Sequence, residues 1–190
     1  MNGRKDDIDC VAVAKSWLNV FKNAIATSDS KAFATCFEEG GWFRDLLVFS
    51  WGFKTCHGYD AIHSYVADTW KNIHMSNVNL DFREHYAPHL GNFGPNIPLV
   101  NAALTFETPN ALGQGFVRIH ASDDRQDRKA FSLVLMIRDW KGHEETVYES
   151  GIYDGHRLSW EEVNLERRRS IEKSPAAVIG SFCTLNRDYS

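Results

Sequence analysis

The chain has 190 residues, enough for one domain with a substantial core. Its net charge of −4 excludes nucleic acid as the main partner, because phosphate binding needs a surplus of Lys and Arg on one face. Aromatic residues reach 13%, with twelve Phe and six Trp, which points to a core or pocket walled by rings.

Residues 1–8 are polar and read as a frayed terminus. From Asp9 the pattern turns helical, with Ala14, Leu18, Phe21 and Ile25 on one face, widened by Val13, Trp17 and Val20. Thr27 to Ser30 suit the end of one helix and the cap of the next. A short second helix carries Ala32, Phe33, Cys36 and Phe37, and Gly40-Gly41 is expected to stop it. Trp42 to Ser50 reads as a strand, Gly52 as a tight passage and Phe53 to Cys56 as a second strand. Gly58 to Asn72 predicts a third helix with Ile62, Tyr65, Val66 and Thr69 on one face.

The later part is strand-rich. Asn77 to Glu84 alternates, the Pro- and Gly-rich run Ala87 to Pro95 reads as a loop, and Val100 to Thr108 and Gly115 to Ala121 read as strands around a turn at Thr108-Pro109-Asn110. Asp123 to Asp127 is a charged turn. Lys129 to Trp140 is the longest strand, apolar on both faces, so one face should meet helices and the other a cavity or a partner subunit. Arg167-Arg168-Arg169 follows Glu161, Glu162 and Glu166 and reads as a solvated helical face. Helices first and a bent antiparallel sheet second define an α+β class. The architecture expected is a cone-shaped curved sheet roofed by three N-terminal helices, as one domain over 9–172 with a tail over 173–190.

The stretches WFRDLLVFSWGFKTCHG, LTFETPNALGQGFVRIH and KAFSLVLMIRDWKGHEE resemble the N-terminal region of fungal flavin-containing monooxygenase-like proteins. That region is a domain of the nuclear-transport-factor-2-like, polyketide-cyclase-like superfamily, and the resemblance covers about residues 10 to 180. In the family a dinucleotide-binding domain follows. Here Ser174 to Gly180 resembles the start of its first strand, but the Gly-x-Gly-x-x-Gly turn is missing. Without closely spaced glycines the backbone cannot approach a pyrophosphate, so neither FAD nor NADPH is expected, and 173–190 reads as a remnant of that strand. The resemblance implies either a cofactor-independent enzyme of secondary metabolism or a binding or dimerisation module. The enzyme would be a lyase, isomerase or cyclase acting in the cone on a small apolar polyketide- or terpenoid-type molecule.

The candidate catalytic residues are Asp45, His57 and His120. Asp45 precedes an apolar run, where an aromatic pocket would disfavour its charge and fit it for proton transfer; the alternative is pairing with Arg44 or capping a turn. His57 could shuttle a proton, or cap the third helix or lie at the rim. Arg118 and His120 share a strand face that looks either into the cone or outward. Tyr65 could offer its phenol to a ligand or sit in the core. His85, Tyr86 and His89 could form a lid or decorate a surface loop. Trp17, Phe21, Trp51, Phe53, Phe106 and Phe131 are candidate substrate-binding rings, together with Tyr65 and Arg118.

The scattered His and carboxylates predict no metal site, and no cofactor is expected. Cys10, Cys36, Cys56 and Cys183 lack zinc or redox spacing and read as free thiols of a reducing compartment. No stretch has the pattern of a signal peptide or membrane span, so a soluble, cytoplasmic protein is expected. The expected partners are a small apolar molecule and a second copy, paired through the sheet as a homodimer.

Overall fold

The structure, a computed structural model, describes residues 8–93, 97–121, 128–144 and 159–173. The chain divides into two compact units, Met1–Glu144 and Glu145–Ser190.

The first unit runs α1 (Cys10–Ala26), α2 (Ser30–Thr35), β1 (Phe37–Leu46), β2 (Phe53–His57), α3 (Tyr59–Thr69), a 3-10 turn (Trp70–Asn72), β3 (Ser76–Leu80), β4 (His89–Phe93), β5 (Ile97–Glu107), β6 (Ala111–His120) and β7 (Ala130–Trp140). The expected α+β class is observed. The seven strands form one sheet in the order β2-β1-β7-β6-β5-β3, with β4 also pairing with β5. The sheet is mixed, because β1 lies parallel to β7. β1 reaches β7 by a long connection through the intervening elements, which a parallel pair requires.

Each helix starts on chemistry present in the sequence. Asp9 accepts from the Ala12 amide, and Asp29 accepts from Lys31 and Ala32, so both short carboxylates satisfy orphan N–H groups. Gly40 and Gly41 do not stop α2, which ends at Thr35; they lie within β1, at an irregularity where it meets β7. A Cβ on Gly41 would meet Phe37 at 2.9 Å and the Ala130 carbonyl at 3.1 Å, so close strand approach explains the glycine. The Pro- and Gly-rich run read as a loop contains β4, whose His89–Phe93 pairs with Ile97–Asn101. Its backbone alternates too little in polarity for strand pairing to be seen locally.

Strand alternation sorts the sheet into two faces. The inner face carries Phe43, Val100, Leu104, Phe106, Val117, Ile119, Leu133 and Leu135, all buried, and packs with Trp17, Phe21 and Ile25 of α1. Aromatic rings fill this space. Trp17 stacks on Phe21 at 4.8 Å, and Phe33 touches Phe21, Phe37, Phe43, Phe49 and Trp70 within 5.3–5.8 Å. Burying each such ring contributes roughly 1.5–3 kcal/mol. The indole of Trp17 donates to the Cys36 carbonyl at 3.0 Å, so its one polar atom is satisfied. Burial pushes the Cys36 thiol up to about 12.

In the second unit, α4 (Trp160–Lys173) opens with a capping box. Ser159 Oγ accepts from the Glu162 amide and Glu162 accepts from the Ser159 amide at 2.7 Å. Arg168 and Arg169 are exposed, as a solvated face requires. The N-terminal residues 1–7, the charged turn 123–127, Cys183 and the tail from 174 lie outside the described residues.

A Cβ at Gly113 would fall 2.1 Å from the buried Phe106 ring, so the ring would have to shift. Gly113→Ala is therefore expected to lower stability by about 1–3 kcal/mol, read as a lower midpoint of urea unfolding at unchanged slope.

Candidate functional site

The turn that ends β1 is built around one carboxylate. Asp45 is fully buried and lies near the end of its strand. Oδ1 accepts from the amides of Val48 at 2.9 Å and Phe49 at 3.1 Å, while Oδ2 accepts from Phe49 and Ser50, both at 3.2 Å. Oδ2 also accepts from the phenol of Tyr65, on α3, at 2.6 Å. The Ser50 hydroxyl lies 3.0 Å from the same phenol oxygen. Since the phenol proton is committed to Asp45, Ser50 donates to Tyr65. The result is a chain from Ser50 to Tyr65 to Asp45. Leu47 sits in this turn at φ 69°, a left-handed conformation that costs a branched residue about 1–3 kcal/mol and that the carboxylate's three amide contacts hold in place.

Of the two readings of Asp45, turn capping is the geometry observed. Arg44 points to the opposite face, exposed, and donates to Thr55 Oγ1 at 3.2 Å, so it does not pair with its neighbour. Desolvation, then the bond to Asp45, pushes the Tyr65 phenol up to about 12, which keeps it protonated and a donor.

Beside this network lies a cleft of about 250 Å³. Leu47 to Trp51 form one wall, Ile73 and His74 another, and the β5–β6 turn with Ile137 and Trp140 the rest. Trp51 and Trp140 stack at 5.7 Å with their planes 19° from parallel. Ser50 lines the cleft, whereas Asp45 and Tyr65 stand behind it. His74 is the titratable side chain among the described lining residues. Sequence periodicity had no means of marking it, because it lies between elements, after the 3-10 turn.

The other candidates do not gather here. His57 is exposed on the outer face and stacks on Trp42 at 4.2 Å, a pair created by the β1–β2 register. It caps no helix; the N-cap of α3 is Gly58 at φ 80°. Phe116 and Arg118 are exposed, so their strand face looks outward, away from the helices. His120 lies 3.2 Å from Glu38 and edge-on to Phe131, away from Asp45's network. Phe53 is 71% exposed, on the outer face beside Leu46. Trp17 and Phe21 are sealed in the core and line neither this cleft nor any other cavity described among these residues; Phe106 is buried as well and lines only a separate shallow cavity beside Gly113 and Arg138. Of the candidate rings, Trp51 alone lines the cleft. Tyr86 packs against Phe116 on the outer face, which rules out a lid over this cleft. No group of three His, Cys, Asp or Glu capable of holding a metal occurs among the described residues.

No family model and no curated protein matches the chain. Solved structures of similar fold do. A candidate aromatic ring hydroxylase from Novosphingobium aromaticivorans shares 15% identity over 70% of this chain and 92% of its own, with TM-score 0.49. A ketosteroid isomerase-like protein from Erwinia carotovora atroseptica shares 11% over 68% and 96%, with TM-score 0.48. ActVI-ORFA from Streptomyces coelicolor shares 12% over 67% and 96%, with TM-score 0.47. These are likenesses of architecture, a curved sheet with N-terminal helices, and carry no statement of activity.

Asp45→Asn removes the charge from four hydrogen-bonded donors and is expected to cost about 2–3 kcal/mol in chemical unfolding. The Tyr65 phenol ionises higher in the folded chain than its ordinary value of 10. Its contribution to stability is therefore whole below pH 10 and is lost as pH rises toward 12. The stability difference between the native chain and Tyr65→Phe should be flat up to pH 9.5 and shrink above it.

Proposed function

We propose that the chain binds a small, largely apolar molecule in the cleft beside Asp45 and turns it over by acid–base chemistry of the lyase or isomerase kind. The observation that carries this reading is the conjunction of a stacked Trp51–Trp140 wall with a Ser50 hydroxyl oriented from behind by Tyr65 and Asp45. Rings hold an apolar body, and a fixed hydroxyl orients a polar atom of it. The Ser50 hydroxyl donates its hydrogen bond to Tyr65, which leaves its oxygen to accept from a ligand and favours a substrate hydroxyl.

Asp45 acts through Tyr65 rather than on the substrate, since its carboxylate already serves four donors. His74, whose imidazole lines the cleft, is the group placed to move a proton. Kinship with the leader region of fungal flavin monooxygenase-like proteins, a place in secondary metabolism, independence of cofactors and a cytoplasmic location are part of this proposal. Their support is the three sequence stretches quoted above and the missing glycine-rich turn. No helix among the described residues is long and apolar enough to cross a membrane.

The solid aromatic interior and the outer sheet face favour a second reading, a non-catalytic module that pairs with a second copy. Trp42 and Phe53 stand exposed there, and Gln114 Nε2 is buried without a hydrogen-bond partner. Sedimentation of the native chain and of a Trp42→Ser, Phe53→Ser variant decides this reading: a dimer that the double change splits supports it, and a native monomer rejects it.

The cleft reading is tested by metabolite comparison with and without the gene, then by titrating the compound that accumulates while following indole fluorescence. Binding should quench Trp51 and Trp140. His74→Ala should keep binding within threefold and lower turnover at least a hundredfold. Ser50→Ala should weaken binding about tenfold. Full turnover in His74→Ala and Ser50→Ala alike would reject the assignment.

A further inference from the structure

The outer face carries a second cavity, of about 310 Å³, remote in the sheet from the cleft. It lies over β4, β5 and β6 and is lined by His85, Tyr86, His89, Asn101, Phe116 and Arg118, with the small Ala102 and Ala103 as part of its floor. Strand register explains how these groups meet. His89 pairs with Asn101, and Asn101 pairs with Arg118. Three polar side chains from three adjacent strands thus form one transverse row, about 4.8 Å from one to the next.

One step along β6, Phe116 supplies a ring. Tyr86 is laid against it at 6.0 Å by the loop between β3 and β4. That loop is pinned by Arg83, whose guanidinium makes bonds of 2.6–3.0 Å to Asp81 and lies 4.8 Å over the Tyr86 ring.

The charge of the cavity is one-sided. Arg118 is a permanent cation, and Asn101, His85 and His89 can all donate. His89 Nδ1 donates to the Ala87 carbonyl at 2.9 Å, which fixes its ring. None of the described lining residues is a carboxylate, and Arg118 has no ion-pair partner among the described residues. Asn101 is held in place from the far side. Its amide nitrogen occupies the space over Gly91, where a Cβ would come within 2.1 Å of it. A planar cation that matches a carboxylate, a row of donors and a two-ring shelf make a complementary set.

We infer that this outer-face cavity is a binding site for a small organic carboxylate with a flat apolar body, the anion on Arg118 and Asn101 and the body against Phe116 and Tyr86. It is independent of the cleft and of any reaction there. The probe is sodium benzoate, titrated into the full chain by calorimetry at pH 7 and moderate salt, with benzamide and inorganic phosphate as comparisons. Benzoate should bind at least tenfold more tightly than either comparison.

Arg118→Gln, a change at an exposed strand position, should weaken benzoate about tenfold or more without altering the thermal midpoint. Gly91→Ala should weaken it severalfold by pushing the Asn101 amide aside, although it leaves every lining residue in place. No binding of benzoate, equal binding of benzamide or phosphate, or native affinity in both Arg118→Gln and Gly91→Ala would each overturn the site.

Discussion

The carboxylate of Asp45 is where three parts of the first unit are joined. It closes the turn after β1 by accepting the amides of Val48, Phe49 and Ser50, and it takes the phenol of Tyr65 from α3. A buried charge is tolerable only when its lone pairs are satisfied, and here they are. The turn in turn sets Phe49 into the aromatic cluster and leaves Leu47 in a left-handed conformation that Asp45 helps to hold. This one acceptor joins the amides of the wall formed by residues 47–51, which Phe49 and Trp51 also hold through their ring contacts. The same group that makes the site possible is thereby removed from the list of groups free to react in it.

The interior bears on function in a related way. A sheet backed by helices can enclose a cavity only where side chains leave one. Phe33 meets Phe43, Phe49 and Trp70 edge to face, Phe49 also meets Trp70, and Trp17 and Phe21 seal the space under α1. Aromatic richness in the sequence thus went into packing, and what remains for a ligand is a cleft at one end of the sheet and a shelf on its outer face. Both are small; the shelf owes its polar row to strand register, whereas the cleft owes Ser50 and His74 to connections between elements.

Much of the fold was legible. The helical stripes of Trp17, Phe21 and Ile25 and of Ile62 and Val66 are buried as their spacing implied, and the α+β class is the one observed, with α3 following β1 and β2. Edges were harder to read. Gly40 and Gly41 read as a helix stop because glycine commonly follows helices, whereas both lie in β1, where close approach of Phe37 and β7 demands the glycine at 41. The run from Ala87 to Pro95 looked like loop because Pro and Gly dominate it, yet His89–Phe93 found a partner in β5. The parallel β1–β7 pairing joins residues nearly a hundred positions apart, a distance over which no local pattern carries information.

Residue types, periodicity and spacing by themselves determined the fold class, the amphipathic faces of the helices and the opposed directions of Arg44 and Asp45, because these follow from backbone periods of 3.6 and 2 acting on local sequence. Only the tertiary structure decided that the Arg118 face looks outward, that Asp45 is spent on a turn and Tyr65, and that His74 lines a cleft while His57 does not. Alternation says that two faces differ, but which one is inner depends on where α1 and α3 pack, and that is a property of the whole folded unit.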